Sequence, residues 1–131
     1  MNRFSKMACY FGLTACLSAP LAQAQHYVLS CKDIVLKDGL LELSCLADNG
    51  SFKHNTVNLN CLIANESGNL GWDDCGGYSF SCRDYWLDSF RYVGAKCKAP
   101  CYWPGSEACE TTSKIDLTEK LYNLDGVIQI R

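Results

Sequence analysis

Leu41, Leu43 and Cys45 alternate with Glu42 and Ser44, the period-two pattern of a strand with one buried face. Residues 34–37 form a second apolar-rich run, and Asp38-Gly39 between the two is the strongest short hairpin signal. Strands are therefore predicted over 34–37 and 40–47. Asp48-Asn49-Gly50 supplies the next turn, followed by Phe52, Val57 and Leu59. Residues 60–63 and 118–121 are short enough to be single helical turns. In the second of these Thr118 can cap the turn, and Glu119 suits its positive end. Tight turns ending at Gly68 and Gly126 lead into strands over 70–72 and 127–130. Phe90-Arg91-Tyr92-Val93 reads as a strand with partly exposed aromatics, and Trp72 and Trp86 read as core. The fold class predicted is all-β.

The pattern occurs twice. Ser30-Cys31-Lys32-Asp33, then Cys45, then Asn65-Glu66-Ser67-Gly68 is matched by Ser81-Cys82-Arg83-Asp84, then Cys97, then Asn123-Leu124-Asp125-Gly126. A duplication at a period of roughly 50 residues fixes architecture, but two units are fewer than a solenoid needs. They predict one pseudo-symmetric domain with two similar surface sites. Asp73-Asp74-Cys75-Gly76-Gly77 is a polar, glycine-rich bridge between repeats, and residues 100–108 are an insertion confined to the second.

The first 24 residues read as a secretory signal: Arg3 and Lys6 precede an apolar run, and Ala22-Gln23-Ala24 is a small-x-small cleavage site. The run is too short and broken for a membrane span, which needs about 20 residues. Leu13-Thr14-Ala15-Cys16 resembles a lipobox, which would instead leave a lipidated Cys16. The expected location is secreted or periplasmic. Removing residues 1–24 takes Arg3 and Lys6 and no acid, leaving 10 basic and 14 acidic residues and a net charge of −4. That charge argues against nucleic acid and anionic membrane surfaces as partners.

Eight cysteines lie beyond the signal: Cys31, Cys45, Cys61, Cys75, Cys82, Cys97, Cys101 and Cys109. An even number behind a signal predicts four disulfides. The repeat pairs Cys31 with Cys45 and Cys82 with Cys97. Cys61–Cys75 and Cys101–Cys109 follow by elimination. No Cys-x-x-Cys motif is present to favour a zinc site, and no metal or other cofactor is expected.

Taken in order, these motifs resemble the cyanovirin-N homology family. Residues 27–72 are similar to the first family repeat at Tyr27, Cys31, Cys45, Asn49-Gly50, Leu59-Asn60, Ile63, Asn65, Gly68, Leu70 and Trp72. Residues 81–130 are similar to the second at Cys82, Arg83, Cys97, Lys114-Ile115, Leu117, Asn123 and Asp125-Gly126. The resemblance implies a single domain over 25–131 in which each half borrows structure from the other repeat. It implies a lectin without catalysis, directed at mannose-containing or related oligosaccharides and glycoproteins. It implies a monomer, with half-exchange through the bridge as a route to dimers.

Carried over by position, the first family site comprises Ser30, Asp48, Asn49, Asn123, Leu124 and Asp125, with His26, Leu29 and Leu46 alongside. The second comprises Asn65, Ser67, Gly77, Ser81, Lys98 and the insertion residue Trp103, with Ala64, Gly76 and Phe80 alongside. Sugar hydroxyls are both donors and acceptors, and Asn and Asp at turns answer both needs. The same residue types also satisfy turn geometry alone. Leu29 and Leu46 stand where the family has polar residues, and Ala64, Ser67 and Phe80 stand where it has acids. The second site is therefore expected to be changed or lost. Asn49-Gly50-Ser51 and Asn65-Glu66-Ser67 are also N-glycosylation sequons.

Catalysis has little to stand on. His26 and His54 are the only histidines, and the adjacent carboxylates of Asp73-Asp74 are expected to diverge rather than flank a sugar. The competing function is a disulfide-stabilised protein-binding module, an inhibitor or effector, with Tyr102-Trp103 as an aromatic anchor.

Overall fold

The computed structural model describes residues 25–102 and 109–131. Its strands are β1 (Gln25–His26), β2 (Cys31–Lys37), β3 (Leu40–Leu46), β4 (Phe52–Asn58), β5 (Ile63–Glu66), β6 (Asn69–Trp72), β7 (Cys82–Asp88), β8 (Tyr92–Ala99), β9 (Cys109–Asp116), β10 (Leu121–Leu124) and β11 (Val127–Ile130). The helical content among the described residues is 3-10 turns, at Tyr27–Leu29, Leu59–Cys61, Tyr78–Phe80 and Leu117–Glu119. The sheets run β1-β10-β11, β2-β3-β4, β5-β6 and β7-β8-β9. The chain is all-β.

The duplication extends to backbone detail. Asp33 and Asp84 hold φ of 53° and 55°, Asp38 and Ser89 hold 52° and 55°, and Ser67 and Asp125 hold 56° and 52°, each pair at matching points of the two repeats. Left-handed conformations disfavour side chains other than those of Gly, Asn and Asp. Ser67 and Ser89 adopt it against that preference, so their match to Asp125 and Asp38 marks turns set by the fold.

The chain divides into two compact units, each drawing on both sequence repeats. One takes residues 25–34, 43–55 and 118–131, and the other takes 35–42 and 56–117. In the first, Tyr27, Leu43, Cys45, Ala47 and Leu121 are buried. In the second, Leu41, Val57, Leu59, Ile63, Tyr78, Val93, Ala95, Cys97, Ile115 and Leu117 are buried. Each fully buried Leu or Ile contributes about 1.5–3 kcal/mol against exposure. Tyr78, with no exposed surface, sends its hydroxyl to Asp38 O at 3.0 Å and packs edge-on against Tyr85.

Disulfides join Cys31 to Cys45, Cys82 to Cys97 and Cys101 to Cys109. The fourth expected pair, Cys61 and Cys75, is exposed and unbonded, with its two sulfurs brought together at 2.7 Å. Cys82 and Cys97 sit opposite each other in the β7–β8 ladder. Cys61 and Cys75 lie outside any ladder, one in a 3-10 turn and the other at φ 49°, so two turns rather than a strand register bring them together.

Other expectations are corrected locally. Phe90 and Arg91 belong to a hairpin turn, with Ser89 and Phe90 both at positive φ, and the strand begins at Tyr92. Trp72 and Trp86 are half-buried rather than core. The predicted helical turns start one residue early, at Leu59 and Leu117, which puts Thr118 inside its turn instead of at the cap. At the Asp38-Gly39 hairpin Asp38 takes the positive φ. Gly39 serves close approach instead, since a Cβ there would fall on the Asn60 side chain. The signal and lipobox residues and Trp103 lie outside the described residues.

Candidate functional site

The β10–β11 turn carries Leu124, Asp125 and Gly126, and Asn123 anchors it from beneath. Asn123 is 4% exposed. Its Nδ2 donates to Ser30 Oγ at 2.8 Å and Leu46 O at 3.0 Å, and its Oδ1 accepts Gly126 N–H at 2.8 Å. Both amide hydrogens and one acceptor position are thus occupied within the protein, and Asn123 acts as a positioning residue. Asn55 completes the anchor, donating to Gly126 O at 2.8 Å and accepting Ile128 N–H at 2.9 Å.

Above this anchor, Asp125 is exposed and its Oδ1 accepts the Asp48 N–H at 2.8 Å. The 47–51 loop is closed by Gly50 N–H to Ala47 O and Ala47 N–H to Ser51 O, at 2.9 and 2.8 Å. Asn49 Oδ1 accepts both the N–H and the hydroxyl of Ser51, at 2.9 and 2.7 Å. Ser30, Asp48, Asn49, Asn123, Leu124 and Asp125 are therefore one constellation within a single unit. Asp125 has acceptor capacity beyond its bond to Asp48. Around it Leu29, Leu46 and Leu124 are 67%, 40% and 41% exposed. An acidic turn with an apolar rim matches a pyranose, which has hydroxyls on its edge and C–H groups on its face. Close by, Tyr122 pairs with His26 across β1–β10 and lies beneath the Arg131 guanidinium, 4.7 Å from the ring centre.

The other unit repeats the anchor. Asn65 Nδ2 donates to Ser81 Oγ at 3.1 Å and Lys98 O at 2.9 Å, and its Oδ1 accepts Gly68 N–H at 2.7 Å. Ser113 Oγ takes the place of Asn55, accepting Leu70 N–H at 2.9 Å. What differs lies above the anchor. The counterpart of Asp125 is Ser67, which has no carboxylate, and the counterpart of Asp48 is Pro100, which has no N–H. The clamp cannot form there. A Cβ on Gly76 would fall on Ala64, while the Phe80 ring lies over Gly77 and is 85% exposed. So Asn65, Ser67, Ser81 and Lys98 converge, Gly77 bridges to Ala64, and the polar equipment of the first constellation is missing.

Two features escaped the sequence reading. Asn55 carries no turn or cysteine signal of its own, though Ser113 at the same repeat position marks it. The Asp48-to-Pro100 exchange was readable by aligning the third residue after Cys45 with the third after Cys97.

Ion pairs line β7–β9. Arg83 pairs with Glu110 in two-pronged fashion, at 2.7 and 2.6 Å, and its hydrogen bond holds the Glu110 carboxyl below its ordinary range. Among the described residues no group of three His, Cys, Asp or Glu could hold a metal ion, and no helix is long and apolar enough to cross a membrane.

Solved structures of the same fold are similar over most of this chain. The MoCVNH3 variant in complex with (N-GlcNAc)4 is 17% identical, with 82% of this chain and 97% of that one covered at a TM-score of 0.71. The microvirin:mannobiose complex is 20% identical, with 82% and 99% covered at 0.66. The CVNH protein of T. borchii is 24% identical, with 82% and 100% covered at 0.68. The CVNH domain profile matches residues 27–129. The chain belongs to the CVNH domain family.

Proposed function

We propose that the chain is a carbohydrate-binding lectin that recognises mannose-containing or related oligosaccharides without chemical change, through the Asp48–Asp125 turn. The observation that carries this reading is the clamp itself. Asp125 is exposed, fixed by the Asp48 N–H at 2.8 Å and supported by a buried asparagine, so a charged acceptor is held in place before ligand arrives. The sugar complexes of microvirin and the MoCVNH3 variant support carbohydrate as the ligand class. Recognition belongs to one unit; the Asn65–Ser67–Ser81–Lys98 surface, with Pro100 and Phe80, is proposed to be silent or retuned. The signal-like residues 1–24, with a cut after Ala24, and three disulfides support an oxidising compartment, secreted or periplasmic.

A glycan array probed with the mature chain tests the reading. Binding to mannosides or GlcNAc oligomers that disappears in Asp125→Ala supports it. Absence of any carbohydrate ligand overturns it and favours the second reading, a protein-binding module. That alternative draws on the exposed Leu29, Leu46 and Leu124 and on Tyr102, which is 89% exposed.

A further inference from the structure

The two sequons differ in the state of their asparagines. Asn65 has both Nδ2 hydrogens engaged, to Ser81 Oγ and Lys98 O, inside a half-buried anchor. Its turn is crowded: a Cβ on Gly68 would lie 2.7 Å from the Ala99 Cβ. Attaching a sugar to that nitrogen would replace a donated hydrogen with a bulky ring where there is no room. Asn49 is exposed, and its Nδ2 makes no hydrogen bond among the described residues. Its Oδ1 instead accepts the Ser51 hydroxyl at 2.7 Å, which brings the two essential groups of the sequon together. Open space surrounds the turn, since a Cβ on Gly50 would meet nothing within 4 Å.

From this contrast we infer that Asn49 is an N-glycan acceptor and that Asn65 is not. The donor class is a lipid-linked oligosaccharide pyrophosphate, which a secretory pathway with an oligosaccharyltransferase supplies. Asn49 Nδ2 forms a bond to C1 of the terminal sugar and loses one proton. The C1–O bond breaks, and the lipid pyrophosphate leaves with its electron pair. No oxidant or reductant takes part. Asn65 carries the same motif, but a chain modified there loses the anchor that shapes its turn and is not recovered in folded form. The glycan on Asn49 sits one residue from Asp48, on the turn to which sugar binding is assigned.

The full chain expressed through a yeast secretory pathway and collected from the medium provides the test, by glycopeptide mass mapping before and after endoglycosidase H. The expected result is a glycan on Asn49, trimmed to a single GlcNAc by the enzyme, with Asn65 unmodified. Ser51→Ala, which keeps Asn49 in place, abolishes the modification, and Ser67→Ala leaves it intact. Unmodified Asn49 in the secreted protein, or a glycan on Asn65, overturns the inference. Mass reports the acceptor whether or not the chain binds free sugars, so failure of the lectin reading and failure of this one are separate results.

Discussion

Asp125 accepts the Asp48 N–H at 2.8 Å, while the matching pair of the second repeat, Ser67 and Pro100, has neither the carboxylate nor the N–H. One hydrogen bond thus distinguishes two otherwise parallel turns, each held by a buried or half-buried asparagine. Asp125→Asn tests its weight. Asn tolerates the left-handed φ of 52°, so the turn survives, but the charged acceptor is lost. Charge-assisted hydrogen bonds are worth about 1.5–3 kcal/mol, and sugar affinity is expected to fall roughly 10–100-fold in calorimetry with thermal stability unchanged.

Asn123→Ala should act differently. It leaves Gly126 N–H, Ser30 Oγ and Leu46 O without their buried partner. The expected loss is about 2–3 kcal/mol in urea unfolding, with binding lost alongside stability. Asn65→Ala should cost a similar amount and leave sugar affinity as it was.

The cysteines divide three pairs against one. Iodoacetamide applied to the native chain after mild reduction should label the exposed Cys61 and Cys75 and leave the other six unmodified, as peptide mapping would show. Replacing both exposed thiols by Ser should change stability by less than about 0.5 kcal/mol. Replacing Cys82 and Cys97 by Ala, which opens a ladder crosslink, should cost about 3 kcal/mol.

Burial holds the Tyr78 phenol well above its ordinary range, with Tyr85 and Asp38 adding to the effect. The folded state therefore favours the neutral phenol. Its contribution to stability is full below the unfolded value of about 10 and declines as pH rises beyond it. Tyr78→Phe should be less stable at neutral pH, having lost the bond to Asp38 O. It should also show a shallower loss between pH 10 and 11.5 in chemical denaturation.

Much of the architecture was legible because its signals were local or duplicated. The alternation at 41–45, the turn dipeptides and the repeated Ser-Cys-basic-Asp blocks report directly on strand faces and register. The repeat also supplied two disulfides. Elimination supplied a third and set Cys61 beside Cys75, a pair that two turns rather than a strand ladder bring together. At the candidate site the residues were legible, but the division of labour among them was not. Asn123 and Asp125 look alike as turn residues. One is buried beneath the turn and the other exposed on it, a difference produced by the packing of Ser30 and Leu46, distant in sequence.

Residue-resolved amide shifts of the mature chain, titrated with mannobiose and with a GlcNAc tetramer, test the central claim most directly. Asp48, Asn49, Leu124 and Asp125 should move together on one isotherm at one ligand per chain, while Asn65, Ser67, Ser81 and Lys98 stay fixed. Shifts centred on residues 65–81, or no carbohydrate-dependent shift with these or any array-selected glycan, would contradict it.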